Sequence, residues 1–191
     1  MAIRKIARLG HPVLRTPARD LLISEIQSDP IRRLIEDMKQ TMQEYSGIGL
    51  AAPQIHEPLR LALIEIPEEG DRYPGMKAQP LLVLINPRTE VLDETKQSFW
   101  EGCLSVPGLR GLVHRPRKVK VDYLDELGKP KTILAEDFLA TVFQHELDHL
   151  DGVLYVDRVE NKIGGTNLAF IEEYQRFLVP KEEDVIRELP D

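Results

Sequence analysis

The stretch Gln144-His145-Glu146-Leu147-Asp148-His149-Leu150 constrains this chain more than any other. On a helix, two histidines four residues apart leave the same face with their Cβ atoms roughly 6 Å apart. The surroundings favour a helix. Glu136 and Asp137 supply acidic residues and a candidate N-cap. Phe138, Leu139, Val142 and Phe143 fall at helical spacing, continued by Leu147 and Leu150. Asp151-Gly152 then ends the run, since glycine takes the left-handed conformation beyond a helix without strain. Glu146 sits beside the pair, where a carboxylate can act on a metal's water ligand without filling the coordination sphere. H-E-x-x-H is thus two ligands and a base on one turn. The competing reading is a chance pair of histidines on a solvated helix. The glutamate and the apolar flanks weigh against it.

Composition narrows the class. The chain has 191 residues, 42% apolar and 30% charged, enough for one domain with a real core. A net charge of −7 argues against a nucleic-acid-binding domain. No apolar run approaches the ~20 residues that span a bilayer. Cys103 is the only cysteine, so no intramolecular disulfide forms, which suits a reducing cytosol. The first 20 residues carry Arg4, Arg8, Arg15 and Arg19 with no acid before Asp20, a faint echo of an organellar transit peptide. Pro12, Pro17 and the lack of serine before Ser24 favour a structured arm instead.

In chain order, residues 1–20 read as an extended arm with turns at Gly10-His11-Pro12 and Thr16-Pro17, His11 being a surface or packing residue with no ligand-spaced partner. Asp29 reads as the N-cap of a helix with Pro30 at its first position. Ile31, Leu34, Ile35, Met38, Met42 and Tyr45 form its apolar face, and Gly47 can close it. Residues 47–54 (GIGLAAPQ) are too apolar for a solvated loop. They suit a tight packed turn and the close approach of a ligand backbone equally well, and Gln54 could aim an N–H donor into a site. Residues 59–66 and 81–85 read as buried strands, the second stopped by Asn86-Pro87, with a third strand at 91–95. A surface loop spans 67–80. Residues 117–124 alternate, and a turn at 125–130 leads into 131–135, giving a hairpin. After the histidine helix come a short strand at 153–156, a break at Gly164-Gly165, a last helix at 168–178 and a charged tail. The expected fold is α+β, one domain over 1–191: mixed or mostly antiparallel strands around the histidine helix, with an N-terminal arm (1–20) and a C-terminal helix and tail (165–191).

Two histidines need a third protein ligand, and three candidates offer themselves. The metalloprotease pattern H-E-x-x-H-x-x-G-x-x-H places Gly152 correctly but puts Tyr155 where the last histidine should be. Glu172 or Glu173 would give a His₂Glu metallopeptidase, but both lie in an amphipathic segment where a solvated face is the commoner role. Cys103, in Glu101-Gly102-Cys103-Leu104-Ser105, offers a thiolate beside a glycine. Taken alone, an isolated cysteine is more often a small buried apolar residue than a ligand.

Three segments, GIGLAAPQ (47–54), EGCLS (101–105) and QHELDHL (144–150), together resemble the three motifs of the peptide deformylase family, in order, and Ile3-Arg4-Lys5-Ile6 with residues 10–15 resembles the family's start. The resemblance covers nearly the whole chain. It implies a metal-dependent hydrolase that removes the N-formyl group from the N-terminal formylmethionine of new polypeptides. It implies Cys103, His145 and His149 as ligands of one divalent ion, ferrous iron in the family, with zinc, nickel or cobalt as substitutes. It implies Glu146 as general acid/base, and Gln54 with the Leu104 backbone N–H as donors to the developing oxyanion. Ile48, Gly49 and Gly102 would align the peptide as an added strand. The methionine pocket would be formed by Ile48, Phe99, Leu104, Phe138, Val142 and His145, with Arg110 at its mouth. The same resemblance implies a bacterial cytoplasmic enzyme in preference to an organellar one. It also implies formylated nascent peptides as partners and at most a transient ribosome contact, since the acidic C-terminal segment lacks the basic character of a docking helix. Trp100 reads as pocket rim or core packing, and Arg115 and Asp148 as a supporting pair if they come within hydrogen-bonding distance.

Overall fold

Alternating apolar residues along the middle of the chain form one antiparallel sheet in the computed structural model, which describes residues 2–68, 77–160 and 167–175. Its strands are β1 (Gly49–Ala51), β2 (Leu61–Ile66), β3 (Gln79–Cys103), β4 (Val106–Leu124) and β5 (Pro130–Glu136), neighbours in that order. A sixth, β6 (Leu168–Phe170), pairs with β4. The helices are α1 (Ile23–Ile26), α2 (Asp29–Glu44), α3 (Asp137–Leu150), α4 (Tyr155–Arg158) and α5 (Ile171–Glu173). The fold is α+β, as expected.

Strand β2 explains the layering. Its residues alternate faces. Leu61 and Leu63 join a core with Ile31, Leu34, Ile35, Met38 and Met42 of α2. Ala62 and Ile64 join a second core with Val142, Phe143, Leu147 and Leu150 of α3. The strand is therefore buried on both faces, each leucine or isoleucine contributing ~1.5–3 kcal/mol by leaving water. A third cluster joins Leu14 of the arm to Val106, Val113, Leu154, Tyr155 and Val159. Helix α3 lies against the sheet with its histidine turn buried. No helix among the described residues is long and apolar enough to cross a membrane.

Several elements differ from the sequence reading. Helix α2 has Ser28 as its N-cap, one residue before Asp29, and Tyr45 as its C-cap, with Ser46 taking the positive φ of 51° in place of Gly47. Asn86-Pro87 does not stop a strand. Asn86 adopts φ 50° at a bulge, and its amide pairs with both the N–H and the C=O of Leu21 at 2.8 and 2.9 Å. The proline, which has no N–H to give, sits where the ladder shifts register, so β3 runs on.

The strand expected at 153–156 does not form; residues 155–158 are α4 instead. Asp157 accepts a hydrogen bond from the Leu154 N–H at 2.8 Å and pairs with Arg15, closing one turn. The last helix expected at 168–178 begins instead as strand, because the free side of β4 offers ladder partners. Residues 176–178, the Gly164-Gly165 break and most of the 67–80 loop lie outside the described residues. His11 is a surface residue, as expected, and its ring meets that of His56 edge-on at 4.7 Å.

Candidate active site

Helix α3 ends on Gly152, whose φ of 74° turns the chain. A Cβ there would lie 2.8 Å from the Arg15 backbone, so the arm packs directly on this turn. The arm also bridges two other motif segments. Ala7 N–H donates to the Gln54 carbonyl at 2.7 Å, and Leu9 N–H to the Ser105 carbonyl at 2.8 Å. These contacts hold the Gln54 segment, the Cys103 turn and the histidine helix around one point.

At that point the imidazoles of His145 and His149 lie 5.2 Å apart, centroid to centroid. Cys103 arrives at the end of β3, where the chain turns back into β4. One ligand atom from each of the three residues falls within 4.8 Å of the others, and Cys103 Sγ lies 3.2 Å from His149 Nε2. A tetrahedral ion with metal–sulfur and metal–nitrogen bonds of ~2.3 and ~2.1 Å sets its ligand atoms roughly 3.4–3.6 Å apart. Tyr155 lays its ring over His145 at 6.0 Å with planes 20° apart, and its buried hydroxyl has no hydrogen-bond partner among the described residues. Glu172 is exposed on α5 and outside the cluster, and the Glu173 side chain lies outside the described residues.

The donor set suits a cation. Burial alone would raise the Cys103 thiol, but His149 and His145 hold it well below its ordinary value. Burial likewise opposes charge on His145, but Cys103 and Glu101 raise it well above the ordinary range. A buried thiolate and a buried carboxylate thus demand positive charge between them. His149 Nδ1 is buried without a hydrogen-bond partner among the described residues, leaving Nε2 towards the sulfur. Thiolate and imidazole together suit a borderline divalent ion such as zinc or iron.

A buried charge network orients His145. Its Nδ1–H donates to Glu101 Oε2 at 2.7 Å, because Glu101 is held ionised. Burial pushes that carboxyl up, but the Arg115 guanidinium and His145 bring it down to about 2. Arg115 donates to both Glu101 oxygens at 2.6 and 3.0 Å and to Asp148 at 2.8 Å, so the anticipated Arg115–Asp148 pair forms. Arg158 closes the chain with two bonds of 2.6 Å to Asp148. An acceptor on the second imidazole nitrogen fixes the tautomer and raises the basicity of the first.

Glu146 and Gln54 complete the centre. Burial pushes the Glu146 carboxyl up to about 7, and its Oε2 has no hydrogen-bond partner among the described residues. Gly49 lies against it: a Cβ there would come 2.3 Å from Glu146 Oε1. Gln54 accepts from the Ala51 N–H at 2.8 Å, which turns its Nε2 towards Cys103 Sγ and Ser105 Oγ, each at 3.4 Å. The GIGLAAPQ segment is tightly packed, as one reading had it, and Ile48, Gly49 and Gln54 also face a cavity.

That cavity, of about 370 Å³, is lined by Ile48, Gly49, Gln54, Cys103, Leu104, His145 and Glu146. Phe99 and Gly102 from β3, Arg110 from β4, and Phe138 and Val142 from α3 also line it. Phe99 and Phe138 meet edge-on at 5.4 Å. Of the site residues expected from sequence, only His149 is set back from the wall. Arg110 packs on Gly102 so closely that a Cβ there would lie 1.7 Å from its Nη1. Sequence reasoning missed Arg8, Tyr45 and Ile171, which also line the cavity, and left Trp100 open between rim and core; it lines the cavity too. Arg8 donates to the Leu104 carbonyl at 2.7 Å. No local pattern marks any of these residues, because each reaches the cavity through tertiary structure.

The sequence profile of the Polypeptide deformylase family matches residues 3–163. A peptide deformylase of Leptospira biflexa is 44% identical over 168 residues, 87% of this chain and 94% of that protein. Among solved structures, a peptide deformylase from Synechococcus elongatus in complex with actinonin superposes with a TM-score of 0.74 at 42% identity, covering 85% of this chain and 81% of that one. A Met-Ala-Ser-bound class I type b peptide deformylase from Acinetobacter baumannii gives 0.77 at 35% identity, covering 83% and 99%.

Proposed function

This chain belongs to the polypeptide deformylase family and removes the N-formyl group from the N-terminal formylmethionine of newly made polypeptides; we propose the following division of that hydrolysis among its residues. Cys103, His145 and His149 would hold one divalent ion, which when bound supplies Lewis acidity towards water and towards the formyl oxygen at neutral pH. Ferrous iron is the ion we propose, on the family's precedent, with zinc, nickel or cobalt able to use the same donors.

Glu146 moves the protons. Its buried carboxyl, poised near neutrality, takes one from the attacking water and passes it to the departing amine. Gln54 Nε2, fixed by the Ala51 contact, donates to the oxygen on which charge develops, together with the Leu104 backbone N–H. Ile48, Gly49 and Gly102 align the peptide as an added strand, and Phe99, Phe138 and Val142 surround the methionine side chain. Arg110 stands at the mouth. His145 Nδ1 is held by Glu101, which Arg115 braces in turn, so Nε2 is the nitrogen that would face the ion. Formate and a free methionine amine leave.

The substrate is met as it emerges from the ribosome, so we propose a transient encounter there. A cytoplasmic location suits both that substrate and the single unpaired thiol. Residues 1–191 act as one catalytic unit in this reading. The observation that carries it is the convergence of Cys103 with the two histidines beside an unpartnered, buried Glu146 oxygen. Formate release from formyl-Met-Ala-Ser by anaerobically purified protein tests it. Turnover by the wild type and its loss in Glu146→Gln are expected. An E146Q protein as active as the wild type would remove Glu146 from the reaction.

A further inference from the structure

Strand β6 carries the chain back to the cavity. Leu109 pairs with Phe170, Arg110 with Ala169 and Gly111 with Leu168, after which α5 begins. Its first residue, Ile171, lines the cavity. Three residues on, Tyr174 packs its ring against Trp100, with centroids 5.0 Å apart and planes at 52°. Trp100 lines the same cavity from β3. All three side chains are half-buried.

Phe99 and Trp100 are neighbours on one strand, so their side chains leave opposite faces of it, and both line the cavity. Phe99 meets Phe138 of the metal helix. Trp100 meets the C-terminal segment instead. An extended peptide alternates its own side chains in the same way. With methionine placed towards Phe99 and Phe138, following side chains are directed elsewhere, and the apolar surface offered to them is Trp100 with Ile171.

We propose that Trp100 and Ile171, with Tyr174 bracing the indole, form a second apolar subsite that takes the side chains following the formylmethionine and favours bulky apolar ones. The proposal rests on the deformylase reading. Ile171 and Trp100 touch substrate, whereas Tyr174 is a positioning residue that acts through Trp100.

Trp100 is the only tryptophan, so its emission reports occupancy whether or not hydrolysis occurs. The products Met-Leu-Phe and Met-Ala-Ser are titrated into wild type, Ile171→Ala, Ile171→Val and Tyr174→Leu. Wild type should bind Met-Leu-Phe more tightly. I171A should raise its Kd about five- to twenty-fold and leave Met-Ala-Ser within about twofold, because apolar pockets discriminate by the methylenes they contact. I171V should shift Kd the same way by less, which guards against a folding defect in I171A. Y174L should also weaken Met-Leu-Phe selectively. With the formylated peptides the change should fall on KM, with kcat unmoved. Equal affinity of wild type and both Ile171 variants for Met-Leu-Phe would overturn the proposal, as would equal weakening for both tripeptides. If wild type binds both tripeptides but releases no formate from their formylated forms, the deformylase reading fails while the subsite remains tested by binding.

Discussion

Replacing Arg115 with methionine removes the centre of the network behind His145. The guanidinium is 2% exposed and donates to Glu101, 5% exposed, and to Asp148, 11% exposed. Among the described residues, the variant leaves Glu101 with His145 as its remaining partner in the network and Asp148 with Arg158, itself 45% exposed. Breaking a buried ion pair by removing one partner costs ~3–5 kcal/mol. Burial pushes the Glu101 carboxyl up, and Arg115 together with His145 holds it down at about 2, so R115M takes away a main support of its ionised form. Without the guanidinium, Glu101 is a weaker acceptor for His145 Nδ1–H, and metal affinity should fall ~10- to 100-fold. Urea unfolding with excess chelator measures the first effect, and chelator competition on folded protein the second. An R115M protein with an unchanged unfolding midpoint and unchanged metal affinity would refute the reasoning.

Other consequences follow from single contacts. Gly49→Ala puts a methyl where Glu146 Oε1 stands, so kcat should fall ~100-fold or more while metal content holds, because the base is displaced and the ligands are not. Full turnover in G49A would show that the carboxylate does not need that position. Gln54→Leu removes an oriented donor and should lower kcat by ~100- to 1000-fold, again with metal retained. A change confined to KM would contradict its role towards the oxyanion. Folding depresses the Glu101 pKa, so the unfolded chain takes up that proton first. The stability it contributes is present above the unfolded value of ~4.3 and drains as pH falls towards about 2. Stability measured by denaturant between pH 6 and pH 3 should therefore decline with acid, and Glu101→Gln should flatten that decline. An unaltered slope in E101Q would remove Glu101 from the account.

The parts legible in the sequence are those set by short-range pattern. Helix α3 announces itself by apolar spacing, by the paired histidines and by Gly152, and the β4–β5 hairpin by alternation around a turn. Local pattern fails where a distant partner decides. Asn86-Pro87 reads as a stop until the Leu21 backbone satisfies the Asn86 amide. Residues 153–156 read as strand until Arg15 and the Leu154 N–H engage Asp157 and a helical turn begins at Tyr155. Residues 168–170 carry helical spacing, but an open ladder on β4 outweighs it. The site divides the same way. His145, Glu146 and His149 share one turn, whereas Cys103 joins them across 46 residues of sequence. No periodicity could link the two, and only the motif resemblance pointed to the thiol. Arg115 and Asp148 were legible as a pair, but the ties to Glu101 and Arg158 needed coordinates.

The account depends on one sulfur and two imidazole nitrogens sharing a single ion. X-ray absorption at the metal edge of anaerobically purified protein tests this most directly. The predicted first shell holds one sulfur at ~2.3 Å with nitrogen or oxygen neighbours near ~2.1 Å, and Cys103→Ala should lose the sulfur. A wild-type first shell of nitrogen and oxygen alone would contradict the account.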